Sequence, residues 1–270
     1  MPCLHWPSCN SNHKNWTIIE PNPSPVNGCK AKFIKGYFSK NIIKNVKYDT
    51  IVHSHVLEHV FYPKKFFKEI SDALQQSQKM IFSIPNLQEM IQRKYTNAIN
   101  FEHTLYLNEV ILNFLFKLFS FKIIKKQYFK KDHSIFYAVE KIHKIKPAKI
   151  KNDYNKNRKL FKNFFKYYDV LVKKINKDII NYKNKYIFLF GAHVFSQYLV
   201  SLGLNENRIL YILDNDKKKQ NQRLYGTNLS VKSPDILKNF KSPLVVLKAG
   251  VYNDEIKKQI KKINNSAKFI

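Results

Sequence analysis

The chain has 270 residues, 44% of them hydrophobic, enough for one large domain or two modest ones, and a formal net charge of +29. Such a charge suits a polyanion, but only four of the 48 basic residues are arginine (Arg93, Arg158, Arg208, Arg223), so 44 are lysine. With Asn, Ile, Phe and Tyr abundant and only 6 glycines, this composition fits AT-rich coding bias better than a surface built to read nucleic acid, which favours arginine forks. No specific nucleic-acid partner is expected. A basic face would still attract an anionic nucleotide-sugar or a membrane surface.

Trp16 to Ile19 is a short apolar run closed by Glu20-Pro21, read as a buried strand. Ala31 to Phe38 and Tyr48 to Val52 are the next strands, the second with the apolar run of a parallel strand covered on both faces. Pro63 to Leu74 has helical apolar spacing at Phe66, Phe67, Ile70 and Leu74. Lys79 to Ile84 is a strand, Leu107 to Phe119 an apolar-faced helix, and Phe121 to Phe129 with Ser134 to Val139 a hairpin around Lys130-Lys131-Asp132. The basic, proline-broken stretch Lys141 to Lys151 reads as a linker. Tyr154 to Tyr182 is a long amphipathic helix. A second α/β unit follows: strand Lys185 to Phe190, turn Gly191-Ala192, helix Val194 to Leu202, strands Ile209 to Leu213 and Pro243 to Leu247, and a closing helix Asp254 to Ile263. Strand, glycine turn, helix, strand and terminal acid form a half-Rossmann pattern.

The segment His53-Ser-His-Val-Leu-Glu-His59 after the third strand resembles the post-strand motif of class I S-adenosylmethionine-dependent methyltransferases. That resemblance implies a Rossmann-like sheet with S-adenosyl-L-methionine as cofactor. His55 and Glu58 would line the methionine end of the cofactor. Glu20, ending the first strand, would accept the ribose hydroxyls, since a carboxylate has two accepting oxygens; the alternative is a solvated turn acid. Tyr37 and Phe38 after Gly36 would shape the adenine pocket, or serve as core aromatics. The alternating histidines do not make a compact ligand set, and no metal is assigned. Asn100-Phe-Glu102-His103-Thr-Leu-Tyr106 narrows the similarity to the sugar C-methyltransferases of deoxysugar biosynthesis. By that resemblance His103 is the general base, Glu102 its partner or a sugar-hydroxyl contact, and His59 a second proton-handling group. The family often has Tyr where this chain has Asn100, which leaves O- or N-methylation open.

The ordered set Phe190-Gly-Ala192, Leu213-Asp-Asn-Asp216, Gly226-Thr227, Ser233-Pro-Asp235 and Glu255-Ile256 looks like the C-terminal domain of the same enzymes. It lacks a full G-x-G-x-x-G, so it is expected to support the cleft or hold a nucleotide-sugar rather than a dinucleotide. Cys3, His5, Cys9 and His13 could bind zinc but lack a Cys-x-x-Cys pair. No glycine precedes Gly28, so the family's first strand and glycine-rich cofactor loop are missing. The expected domains are an N-terminally truncated methyltransferase domain over 1–142, a linker with the long helix over 143–184, and a smaller Rossmann-like α/β domain over 185–270. The expected function is methylation of a sugar or nucleotide-sugar for surface polysaccharide, in an enzyme inactivated if the missing loop is decisive. The alternative is a non-catalytic remnant or partner subunit that binds a sugar-nucleotide. Three cysteines give no disulfide framework, residues 1–20 lack a signal-peptide layout, and no apolar run reaches the ~18 residues of a membrane span. A cytoplasmic location is expected.

Overall fold

The computed structural model describes residues 15–25, 27–99, 102–129, 133–143, 149–248 and 252–270. The fold is α/β and forms two compact units, one drawn from Met1–Asn86 and Thr104–Lys151, the other from Leu87–His103 and Asn152–Ile270.

In the first unit, β1 (Thr17–Glu20) and β2 (Lys32–Lys35) pair in parallel as a two-stranded sheet of their own. Strand β3 (Thr50–Ser54) leads through a 3-10 turn at Leu57–His59 to α1 (Pro63–Ala73) and β4 (Lys79–Pro85). Pro63 opens α1, where its missing N–H costs nothing. Helix α2 (Leu87–Gln92) belongs to the second unit. Helix α3 (Glu109–Leu118) is capped by Asn108, whose Oδ1 accepts from Ile111 N at 3.0 Å. Strands β5 (Phe121–Phe129) and β6 (Ser134–Lys141) form the expected hairpin, with its turn, 130–132, outside the described residues. The sheet order is β3-β4-β6-β5, with β3 and β4 parallel and the rest antiparallel.

Phe82, Tyr137 and Val139 point from β4 and β6 onto Phe67 of α1 and Phe116 of α3. Phe82 stacks on Tyr137 (centroids 5.3 Å apart), and Phe67 on Phe119 (6.0 Å). Burial of its ring pushes the Tyr137 hydroxyl well above the usual phenol range. This core holds β3 and β4 in place beneath the turn that follows β3.

In the second unit, α2 packs on the long helix α4 (Tyr154–Asn181). Tyr168 of α4 donates its hydroxyl to the carbonyl of Lys94. Phe164, Tyr168, Val172, Ile175 and Ile179 make the buried stripe of α4, spaced at the helical period. Then come β7 (Ile187–Phe190), α5 (Val194–Ser201), β8 (Tyr211–Leu213), β9 (Val231–Lys232), β10 (Leu244–Val246), α6 (Asn253–Ile263) and β11 (Lys268–Phe269). All five strands run parallel in the order β11-β10-β7-β8-β9. Every residue of β7 is buried, as a central strand requires. The helix expected to close the chain is followed by β11, and α2 and β9 were not expected. Two-residue strands and a six-residue helix carry too little periodicity to read. No helix among the described residues is long and apolar enough to cross a membrane.

Candidate active site

The carboxyl end of β3 is where the chain leaves regular structure. His55 N donates to Ser83 O of β4 at 2.9 Å, continuing the ladder one residue past the strand. The backbone of His55 then turns to φ 51°, left-handed and without glycine, a conformation that costs about 1–2 kcal/mol for an ordinary residue. That turn swings the following residues over the sheet edge. Leu57 drops fully into the core and anchors the 3-10 turn. Glu58 is carried inward with it and is 2% exposed.

The Glu58 carboxylate therefore sits in a low-dielectric place. Its Oε1 accepts from His55 Nδ1 at 3.0 Å, and His59 Nε2 lies 4.0 Å from the same oxygen. Its Oε2 is buried with no hydrogen-bond partner. Burying an unpaired carboxylate oxygen is costly, so this one is the atom in the unit most in need of a donor or cation. The other ring nitrogen of His55 meets Ser134 Oγ at 3.1 Å, and His133 Nδ1 meets the same hydroxyl at 2.6 Å. Ser134 and His133 stand at the start of β6, beside β4, where Pro85 pairs with Ser134 and Asn86 N donates to His133 O.

His53 has a different role. It stacks on Phe82 at 5.0 Å and meets Phe66 edge-on at 5.6 Å, with both ring nitrogens buried and unpartnered. Burial lowers its pKa to about 3, so it is a neutral core ring near pH 7.

The remaining expected residues lie as follows. Glu20 ends β1, and its carboxylate accepts from Asn22 N at 3.4 Å. Tyr37 is 79% exposed, whereas Phe38 packs on the core and meets Phe66 edge-on. Glu102 is exposed. His103 is half-buried, and its Nδ1 is 3.1 Å from Ala98 O. Because a carbonyl only accepts, Nδ1 carries the hydrogen and Nε2 is the basic nitrogen. The next residue, Thr104, is tied down firmly: its N–H donates to Glu58 O at 2.8 Å and its hydroxyl to Val60 O at 3.0 Å. Asn100 and Phe101 of the same motif lie outside the described residues, as do Cys3, His5, Cys9 and His13.

The second unit has a comparable strand-turn-helix after β7. Gly191 takes φ 102°, and a Cβ there would fall 2.6 Å from His193 Nε2. Asp214, at the end of β8, accepts from Ala192 N at 2.7 Å through Oδ2 and from Asp216 N at 2.8 Å through Oδ1. His193 caps α5 by accepting from Phe195 N, and burial, helped by Lys219 and opposed by Asp214, lowers its pKa. The acid and the helix start of this turn already serve the fold.

Comparison with known proteins bears mainly on the C-terminal half. The family described as C-methyltransferase C-terminal domain matches residues 128–270. No curated protein matches the chain significantly. Among solved structures, a SAM-dependent methyltransferase from Archaeoglobus fulgidus aligns over 46% of this chain and 75% of its own, with 15% identity and a TM-score of 0.38. One from Methanosarcina mazei aligns over 48% and 84%, with 15% identity and a TM-score of 0.33. The magnesium protoporphyrin IX methyltransferase of Synechocystis PCC 6803, with bound SAH, aligns over 43% and 53%, with 14% identity and a TM-score of 0.31.

Proposed function

The chain belongs to the C-methyltransferase C-terminal domain family, which matches more than half of its residues, and from that premise we propose an S-adenosylmethionine-dependent transfer of a methyl group to a carbon atom of a sugar or nucleotide-sugar. The family's description supports carbon among the C, O and N acceptors left open by the sequence. The observation that carries the reading is the buried Glu58 carboxylate with Oε2 unpartnered. S-adenosylmethionine is a cation at its sulfonium and its amino group, and a buried carboxyl group with one oxygen unpartnered fits such a ligand. Bound, it supplies a methyl group activated for in-line displacement.

The chain's own residues do the rest. Glu58 holds positive charge at the β3 tip, with His55 fixing its orientation through Oε1. Glu20, Tyr37, Phe38 and His55 are the further candidate cofactor contacts. Methylation at carbon requires removal of a C–H proton, and His103 takes it at Nε2, with Nδ1–H held by Ala98 O. Glu102 orients the base or holds a sugar hydroxyl, and His59 receives or relays protons beside Glu58. The five-stranded unit is the candidate for holding the nucleotide-sugar.

Calorimetric titration with S-adenosylhomocysteine should give saturable binding, and nucleotide-sugars should then be turned over. His103→Ala should lower turnover about 10²–10⁴-fold, the usual contribution of a general base. Unchanged turnover in that variant removes the base assignment. Binding of nucleotide-sugars without binding of S-adenosylhomocysteine would point instead to a non-catalytic sugar-nucleotide binder.

A further inference from the structure

Methyl transfer to carbon releases one proton per turnover: a C–H and an S–CH₃ bond break, a C–CH₃ bond forms, and the proton must leave. Resting on the reading of the β3 tip as the methyl-transfer site, we propose that Glu58, His55, Ser134 and His133 form a relay that carries this proton from the site to the surface.

The hydrogen-bond inventory fixes its direction. A carboxylate only accepts, so the 3.0 Å bond at Glu58 Oε1 is donated by His55 Nδ1–H. With one hydrogen on the His55 ring, Nε2 accepts, and Ser134 donates its one hydroxyl hydrogen there across 3.1 Å. Ser134 Oγ is left to accept, so His133 Nδ1–H donates to it across 2.6 Å. Three consecutive bonds thus run in one sense, from an exposed ring to a carboxylate 2% exposed. Ser134 itself is 1% exposed. A buried hydroxyl bridging two imidazoles is what a relay needs and what a core would otherwise avoid.

For an outgoing proton the same atoms are used in the opposite orientation. With the proton on Glu58 and both rings in their Nε2–H tautomers, Glu58 O–H passes to His55 Nδ1 and His55 Nε2–H to Ser134 Oγ. The Ser134 hydrogen passes to His133 Nδ1, and His133 Nε2–H goes to water. Ser134 Oγ gains one hydrogen and loses one, His55 Nδ1 and His133 Nδ1 each gain one, and Glu58, His55 Nε2 and His133 Nε2 each lose one, the third hydrogen going to water. One proton has moved out, and the resting orientation is regained. His59 of the turn lies 4.0 Å from Glu58 Oε1, and Phe129 of β5 meets His133 edge-on just before β6.

His133 is a surface residue, so His133→Ala tests the relay without disturbing the core. Turnover at low buffer concentration should fall about tenfold, the low end of proton-transfer effects, and added imidazole should restore it. A merely structural role would not respond to imidazole. Ser134→Ala should lower turnover beyond imidazole rescue, and Ser134→Thr, which keeps the hydroxyl, should recover it. The relay is also read without turnover: ¹⁵N spectra should show His55 and His133 as Nδ1–H tautomers whose ring signals both move in Ser134→Ala. Rings that ignore Ser134→Ala, or turnover that His133→Ala and imidazole leave unchanged, overturn the relay. Failure of the wild-type chain to bind S-adenosylhomocysteine strikes the methyl-transfer reading alone.

Discussion

The two units each end a parallel strand in a tight turn served by a histidine and an acid, and they resolve that turn in opposite ways. After β7 the positive φ falls on Gly191, which tolerates it, and Asp214 spends both oxygens on backbone N–H groups. After β3 the positive φ falls on His55, which does not, and Glu58 is buried with one oxygen unpartnered. One turn is closed in its bonding; the other stores strain and an unmet valence. Strain and unmet bonds persist where something other than the fold requires them, which supports the proposal of chemistry at β3 and a supporting role at β7.

The largest expected effect tests the closed turn. Asp214→Ala removes two charge-assisted hydrogen bonds and strands Ala192 N–H and Asp216 N–H, at a cost of about 3 kcal/mol or more. Thermal unfolding should show the five-stranded unit destabilised, with S-adenosylhomocysteine affinity unchanged in molecules that remain folded. Lost affinity with unchanged stability would reverse the roles of the two turns.

A smaller effect is expected from His53. Its folded pKa of about 3 lies below the ordinary 6.5, so between those values the unfolded chain binds the extra proton. The stability it allows is fully present above about pH 6.5 and is lost as pH falls toward 3, at up to about 1.4 kcal/mol per pH unit. His53→Phe, a ring placed against Phe82 and Phe66, should flatten this acid limb. A limb as steep as in the wild type would show that His53 is not the neutral core ring that separates it from His55.

Much of this contrast was legible in the sequence because it is local. A strand, a turn and Leu57-Glu58-His59 lie within ten residues. Asp214 reads as a strand-terminal acid, but its use by Ala192 N–H depends on β7 and β8 being neighbours. Ser134 and His133 were invisible for the same reason. They reach His55 across 79 positions only because β6 pairs antiparallel with β4 in a register that sets Pro85 against Ser134. Pairing register is a tertiary property that no spacing rule encodes. The sheet division was also hidden: the sequence shows strands in series, whereas β1 pairs only with β2 among the described residues.

The finest test addresses the open valence itself. Glu58→Gln keeps a carbonyl oxygen for His55 Nδ1 and nearly the same volume, but it replaces the anionic carboxylate by a neutral amide. If Oε2 meets a cation, affinity for S-adenosylhomocysteine, which keeps the amino group, should fall about tenfold, near 1.4 kcal/mol. Stability should hold or rise, because a buried carboxylate with one oxygen unpartnered has been removed. Both readouts must move together. Undiminished affinity with raised stability would make Glu58 a strained structural acid, and the β3 turn would then be no more open to ligand than the β7 turn.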